Sequence, residues 1–144
     1  MIKSGVRWLI WGLILFAFLS CGSATKAPYG STVKMPEDQT ITSDTDVVVH
    51  LDCVVLNEEE EPLSDIDVDF YIMGGVFIDE NGNELGTEIT LRTDERGIAE
   101  VTVLIPGTYQ GEVVISASIG VASDQTVISK ELPTEEGEEG EEQV

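Results

Sequence analysis

Few side chains here are spaced for chemistry. His50 is the one histidine, and by strand alternation it shares a face with Asp52, two residues on. A nucleophile, that imidazole and that carboxylate would make a hydrolytic triad, in which the acid orients the base through a hydrogen bond. Same-face neighbours along a strand stand about 7 Å apart, too far for that bond without bending, so the pair is read as solvated surface. Cys53 occupies an apolar-face position, at no ligand spacing from His50, which argues against zinc and for a small core residue. Asp65, Asp67 and Asp69, close to Glu58–Glu61, form the densest acidic cluster. Like charges so near one another disfavour a strand unless solvent, salt or a cation screens them, so calcium is a candidate partner but is not assigned. Asp79–Glu84 is similar to a calcium loop, but its glycine stands at the fourth position instead of the sixth, and it is read as a hairpin tip. No catalytic, cofactor-binding or metal-binding residue is assigned.

The elements that must position these groups are strands. From Val47, the residues Val47, Val49, Leu51, Cys53 and Val55 alternate with a more polar set, and Ile66, Val68, Phe70 and Ile72 alternate with Asp65, Asp67, Asp69 and Tyr71. Ile89 and Leu91 continue the period, followed by Ala99, Val101 and Val103, then Val113, Ile115 and Ala117, and a last strand over about Asp124–Leu132. Turn signals separate these runs at Asn57–Pro62, Asn81–Asn83, Asp94–Gly97, Pro106–Gly107 and Gly120. A first strand around Thr32–Met35, continued at Gln39–Thr42, completes about seven strands. That count and spacing predict an all-β fold, a single immunoglobulin-like β-sandwich. Val48, Val54, Ile98, Leu104 and Val114 fall on its solvent faces, so one face or edge is a candidate docking surface.

Ahead of the strands, Met1–Arg7 carries Lys3 and Arg7 without an acid, and Trp8–Leu19 is apolar apart from Gly12, the two regions of an export signal. A helix of that length rises roughly 18 Å against a hydrocarbon core of about 30 Å, too short for a permanent span. Leu19-Ser20-Cys21 resembles the bacterial lipoprotein signal, with Phe18 standing where aliphatic residues are usual. The resemblance implies lipidation of Cys21 by thioether formation with diacylglycerol, and Gly22 after the cysteine favours the outer membrane. With Cys21 acylated, Cys53 has no partner for an intrachain disulfide, so stability must come from the core.

Three blocks in order resemble the bacterial immunoglobulin-like domain of the invasin and intimin type. They are Leu56–Phe70 with Pro62, Ile66, Val68 and Phe70; Thr93-Asp94-Glu95-Arg96-Gly97-Ile98-Ala99; and Gly111-Glu112-Val113-Val114-Ile115-Ser116-Ala117. In the second block Asp94 can accept backbone N–H bonds, Gly97 can supply a positive φ, and Ala99 is set onto the core face. Asn57–Glu61 departs from the family pattern by lacking its turn glycine and stacking four glutamates, and Phe77–Leu85 is read as an added hairpin. Family members in large adhesins space and present a distal tip in tandem; a solitary copy cannot form a long stalk.

The division expected is therefore residues 1–20 as signal peptide, 21–29 as lipidated flexible tether, 30–132 as sandwich and 133–144 as a disordered tail rich in Glu. The net charge is −21, and loss of Lys3 and Arg7 with the leader makes it more negative still. So acidic a chain lacks the cationic stripe needed to displace phosphate counterions, which excludes nucleic acid, and it does not lie flat on anionic lipid. The function expected is a non-catalytic envelope module acting in binding, adhesion or structural support. Its partners are the membrane, through the lipid on Cys21, and an unidentified envelope or extracellular protein or glycan. The alternatives are an accessory subunit of an envelope assembly or a calcium-dependent adhesive module.

Overall fold

The computed structural model describes residues 26–135; Cys21, the expected signal peptide and most of the Glu-rich C-terminal segment lie outside the described residues. Ten strands are present among them: β1 (Thr32–Lys34), β2 (Gln39–Thr42), β3 (Val47–Leu56), β4 (Asp67–Met73), β5 (Val76–Ile78), β6 (Glu84–Gly86), β7 (Glu88–Arg92), β8 (Ile98–Ile105), β9 (Gly111–Ser118) and β10 (Ser123–Glu131). They form two five-stranded sheets, in the orders β1-β3-β8-β5-β6 and β2-β10-β9-β4-β7. All pairings are antiparallel except β2 with β10. The inward sets are those given by alternation: Leu51, Cys53 and Val55 on β3, Val68, Phe70 and Ile72 on β4, Ala99, Val101, Val103 and Ile105 on β8, and Val113, Ile115 and Ala117 on β9 are all buried. Phe70 and Phe77 meet edge to face at 6.3 Å in the centre, an arrangement that favours the ring quadrupoles.

The count exceeds seven because the chain crosses between the sheets within the first expected strand and again directly after β4, where β5 and β6 are added. Met35–Asp38 crosses between sheets, so β2 is not an extension of β1 but a parallel neighbour of β10. Pro36 has no N–H to extend the β1 ladder, and the crossing is pinned by side chains: Met35 N–H donates to Asp124 Oδ2 at 2.8 Å and Val127 N–H to Asp38 Oδ1 at 2.8 Å. The second crossing follows β4. Gly74 has φ 96°, and a Cβ on Gly75 would lie 2.7 Å from the Leu104 carbonyl oxygen, so only glycine lets β5 lie this close to β8. The expected added hairpin thus becomes one long bent hairpin whose base, β4 and β7, belongs to one sheet and whose outer part, β5 and β6, belongs to the other. Sheet-switching strands close both sides of the sandwich, and the edges left open are short, as edges prone to pairing must be.

One boundary is corrected. Asp65 does not share the face of Asp67 and Asp69: its φ is 58°, it precedes the strand, and its N–H donates to Thr93 O. The strand begins only at Asp67, with Ile66 already buried ahead of it, because the backbone reverses at Asp65. At the other margin Ala27 is buried in the core, so the chain is held against the domain from that residue onward.

Candidate functional site

Three turns at or beside the ends of the strands share one plan. In Asp79–Asn83 and Asp94–Ile98 the first carboxylate accepts two backbone N–H bonds, at 2.8 and 2.9 Å from Asn81 and Asn83 and at 2.9 and 3.0 Å from Arg96 and Ile98, while Gly82 and Gly97 take a positive φ in fourth place. The amide of Asn83 holds the Asp79 carboxyl below its ordinary value, and the N–H of Ile98, followed by Arg96, does the same for Asp94. Both contribute to stability above the ordinary carboxylate range and lose that contribution as pH falls through their lowered values. Asn57–Glu61 follows the same plan, with Asn57 Oδ1 accepting from Glu59 and Glu61 and with Glu60 at φ 63° in the glycine place. The expected turn that lacks the family's glycine is formed with a glutamate in the left-handed region. The Asp79 turn is a hairpin tip, as its sequence suggests.

Thr93, which opens the second motif block, is buried and clips the 63–66 loop. Its hydroxyl donates to Leu63 O at 2.7 Å and accepts from Ile66 N–H at 3.0 Å. Thr93→Val keeps the shape and removes both bonds, so a loss of about 2 kcal/mol is expected, read as a lower chemical-denaturation midpoint with an unchanged slope.

The groups singled out for chemistry are kept apart. His50 Nδ1 is hydrogen-bonded to Thr102 Oγ1 at 2.9 Å across the β3–β8 pair, not to Asp52. Asp67 pairs with Arg92 at 3.1 Å, and Asp69 Oδ1 accepts from Thr90 Oγ1 at 2.6 Å, so cross-strand partners answer the like charges of β4. Among the described residues no three metal-ligating side chains come together. Cys53 is 0% exposed, opposite Ala99, and burial, with a smaller contribution from Asp124, pushes its thiol from 9.0 up to about 12. Two outcomes are expected: the folded chain resists thiol alkylation at pH 8 until it is denatured, and stability falls from pH 9.0 towards 12, where the unfolded thiol ionises and the folded one does not.

Lys130 escaped the sequence reading. It is 1% exposed, and its Nζ donates to the carbonyls of Ser43 at 2.8 Å and of Gly107 and Tyr109 at 3.0 Å each. Those carbonyls come from the β2–β3 and β8–β9 loops. Beside them Gly107 N–H donates to Asp46 Oδ1 at 2.7 Å, so a buried ammonium and a carboxylate close this end of the sandwich. The opposite end holds the β9–β10 turn, Thr93 and the Asn57 turn.

One surface with convergent polar groups is the outer face of the β2-β10-β9-β4-β7 sheet; another, on the other sheet, gathers His50, Asp79, Glu80, Asn81, Glu100 and Thr102. Register sets Glu88, Tyr71 and Ser116 side by side on β7, β4 and β9, and sets Thr90, Asp69 and Ser118 beside them in the next row. These six line a shallow depression of about 520 Å³, with Tyr71 45% exposed. Alternation alone placed Tyr71 and Asp69 outward; the register that gathers the other four is a property of the folded sheet.

No family model matches the chain, and no curated protein does. Among solved structures it is similar to a PapD-like domain of human CEP192, at 12% identity and a TM-score of 0.42 over 78% of this chain and 92% of that one. It is likewise similar to titin domain M7, at 12% identity and a TM-score of 0.38 over 74% and 99% of the two chains. A conjugative transposon lipoprotein from Bacteroides eggerthii shows 10% identity and a TM-score of 0.41 over 70% and 98%. The strand order settles the architecture more firmly than these distant likenesses: an immunoglobulin-like β-sandwich in which a bent hairpin fills the outer place beside β8.

Proposed function

We propose that the chain is a non-catalytic, lipid-anchored module of the bacterial envelope, of the invasin and intimin immunoglobulin-like type, which acts by binding or support. The observation that carries this reading is where the anchor enters. Lys26 and Ala27 lie beside Ile119, Gly120 and Val121 in the β9–β10 turn. A lipid on Cys21, five residues upstream, would hold that end within about 17 Å of the headgroups. β10 runs to the opposite end, so Glu131 closes the sandwich on the side away from the membrane and the two sheet faces stand clear of it. Gly22 after the lipidated cysteine favours the outer membrane.

Replacing Cys21 with Ser in the native host is the test. The expected outcome is a folded chain that leaves the membrane fraction or stalls unprocessed in the inner membrane, with the wild-type melting temperature. A Cys21→Ser chain that fractionates with the wild type would replace lipidation by an uncleaved helical anchor.

A further inference from the structure

We propose that the outer face of the β2-β10-β9-β4-β7 sheet binds a neutral glycan, with Tyr71 as the stacking platform. The inference rests on the reading of the chain as an envelope binding module and supplies its ligand class. A sugar ring offers two surfaces to a protein, an apolar C–H face and a rim of hydroxyls that each donate and accept. The depression over β4 answers both. Tyr71 stands at its centre with 45% of its surface open, a flat apolar ring with a polar tip and little conformational entropy to lose on contact. Around the ring stand two carboxylates, Asp69 and Glu88, and three hydroxyls, Thr90, Ser116 and Ser118. Carboxylates only accept and hydroxyls do both, a set that matches vicinal sugar hydroxyls and offers little to an apolar ligand.

The set is ordered in advance. All six side chains stand on three hydrogen-bonded strands in direct register, two rows deep, so their spacing is fixed by the pleat, about 4.8 Å across strands and 7 Å along them. Thr90 Oγ1 holds Asp69 Oδ1 at 2.6 Å; among the described residues no partner occupies Oδ2, which is left to a ligand hydroxyl. Charge decides between glycans. The depression has two acids and no basic side chain of its own; Arg92 is paired with Asp67 in the next row, and Lys26 lines the adjoining depression with Asp67, Asp69 and Thr90. Phosphorylated and uronic-acid glycans are repelled, while neutral ones are not. The face also runs along the side of the sandwich, so a chain anchored at the β9–β10 end keeps it accessible.

The full-length lipidated protein in a zwitterionic detergent, chosen because glycosidic detergents would compete, is titrated by calorimetry with cellohexaose, maltohexaose, chitohexaose and a hexameric oligogalacturonate. At least one neutral hexasaccharide is expected to saturate, with the oligogalacturonate giving no heat. Tyr71→Ala is expected to weaken that binding about tenfold or more, Tyr71→Phe to retain it, and Tyr29→Ala, exposed outside the depression, to leave it unchanged. Melting curves of all three variants confirm folding. The inference is overturned if no neutral hexasaccharide saturates, if a folded Tyr71→Ala binds as the wild type does, or if the anionic oligomer binds best. A chain that is released by Cys21→Ser yet binds no glycan loses this inference and keeps its anchor.

Discussion

Replacing Lys130 with Met is expected to lower the stability of the sandwich by about 3–5 kcal/mol, the largest loss at any single polar position. Methionine fills nearly the same volume, so packing is kept and the loss isolates the ammonium. Three part-buried carbonyls, of Ser43, Gly107 and Tyr109, would lose the donor they share. Each buried acceptor without a partner costs about 1–3 kcal/mol, and the three are not independent, which keeps the total near the lower part of their sum. For a domain of this size the melting temperature should fall by roughly 15–20 °C. Differential scanning calorimetry of Lys130→Met beside Val127→Met, a half-buried position on the same strand, separates this loss from a general intolerance of β10. A fall of less than about 1 kcal/mol would mean that the two loops satisfy their carbonyls by other means.

The shared turn plan gives the second large effect, and one with opposite signs at two sites. Gly97 has φ 72°, and a Cβ there would lie 2.8 Å from Val55 O, 2.9 Å from Pro62 Cβ and 3.0 Å from Leu63 N. Gly97→Ala thus incurs left-handed strain of about 1–2 kcal/mol together with a clash against backbone that cannot yield easily, for a loss of about 2–4 kcal/mol. Glu60 already bears that strain at φ 63°. Glu60→Gly relieves it and removes one of four adjacent like charges, so a gain of about 0.5–1 kcal/mol is expected. Urea unfolding of the two variants tests the plan as a unit: the Asn57 turn is shown not to follow it if Glu60→Gly destabilises.

How much of this could be read beforehand follows from what each residue reports locally. The inward sets of β3, β4, β8 and β9 were legible because a period of two in Val, Ile, Leu, Phe, Cys and Ala leaves one face no choice but the core. The Asp94 turn was legible for the same local reason, since the carboxylate, the glycine and the N–H groups it caps lie within five residues. Lys130 was not. A lysine within a strand signals solvent, and the carbonyls that hold it lie 21 to 87 positions away. The place of Thr93 was hidden likewise, because its partners belong to the 63–66 loop. Asp65 was placed on the wrong face because alternation cannot announce a reversal at a non-glycine residue. Of the candidate glycan face, the outward position of Tyr71 was legible. Its company was not, since Glu88 and Ser116 reach it only through register across three strands.

Everything proposed about place and purpose depends on Cys21, and one measurement reaches it directly. Cells of the native host fed an alkyne analogue of palmitate, followed by mass spectrometry of the purified protein, report both cleavage and acylation. The expected result is a chain that lacks residues 1–20 and carries the label on an N-terminal peptide beginning at Cys21. An unlabelled chain that begins at Met1 and stays in the membrane would contradict a lipid-anchored module and assign the attachment to the apolar run Trp8–Leu19 instead.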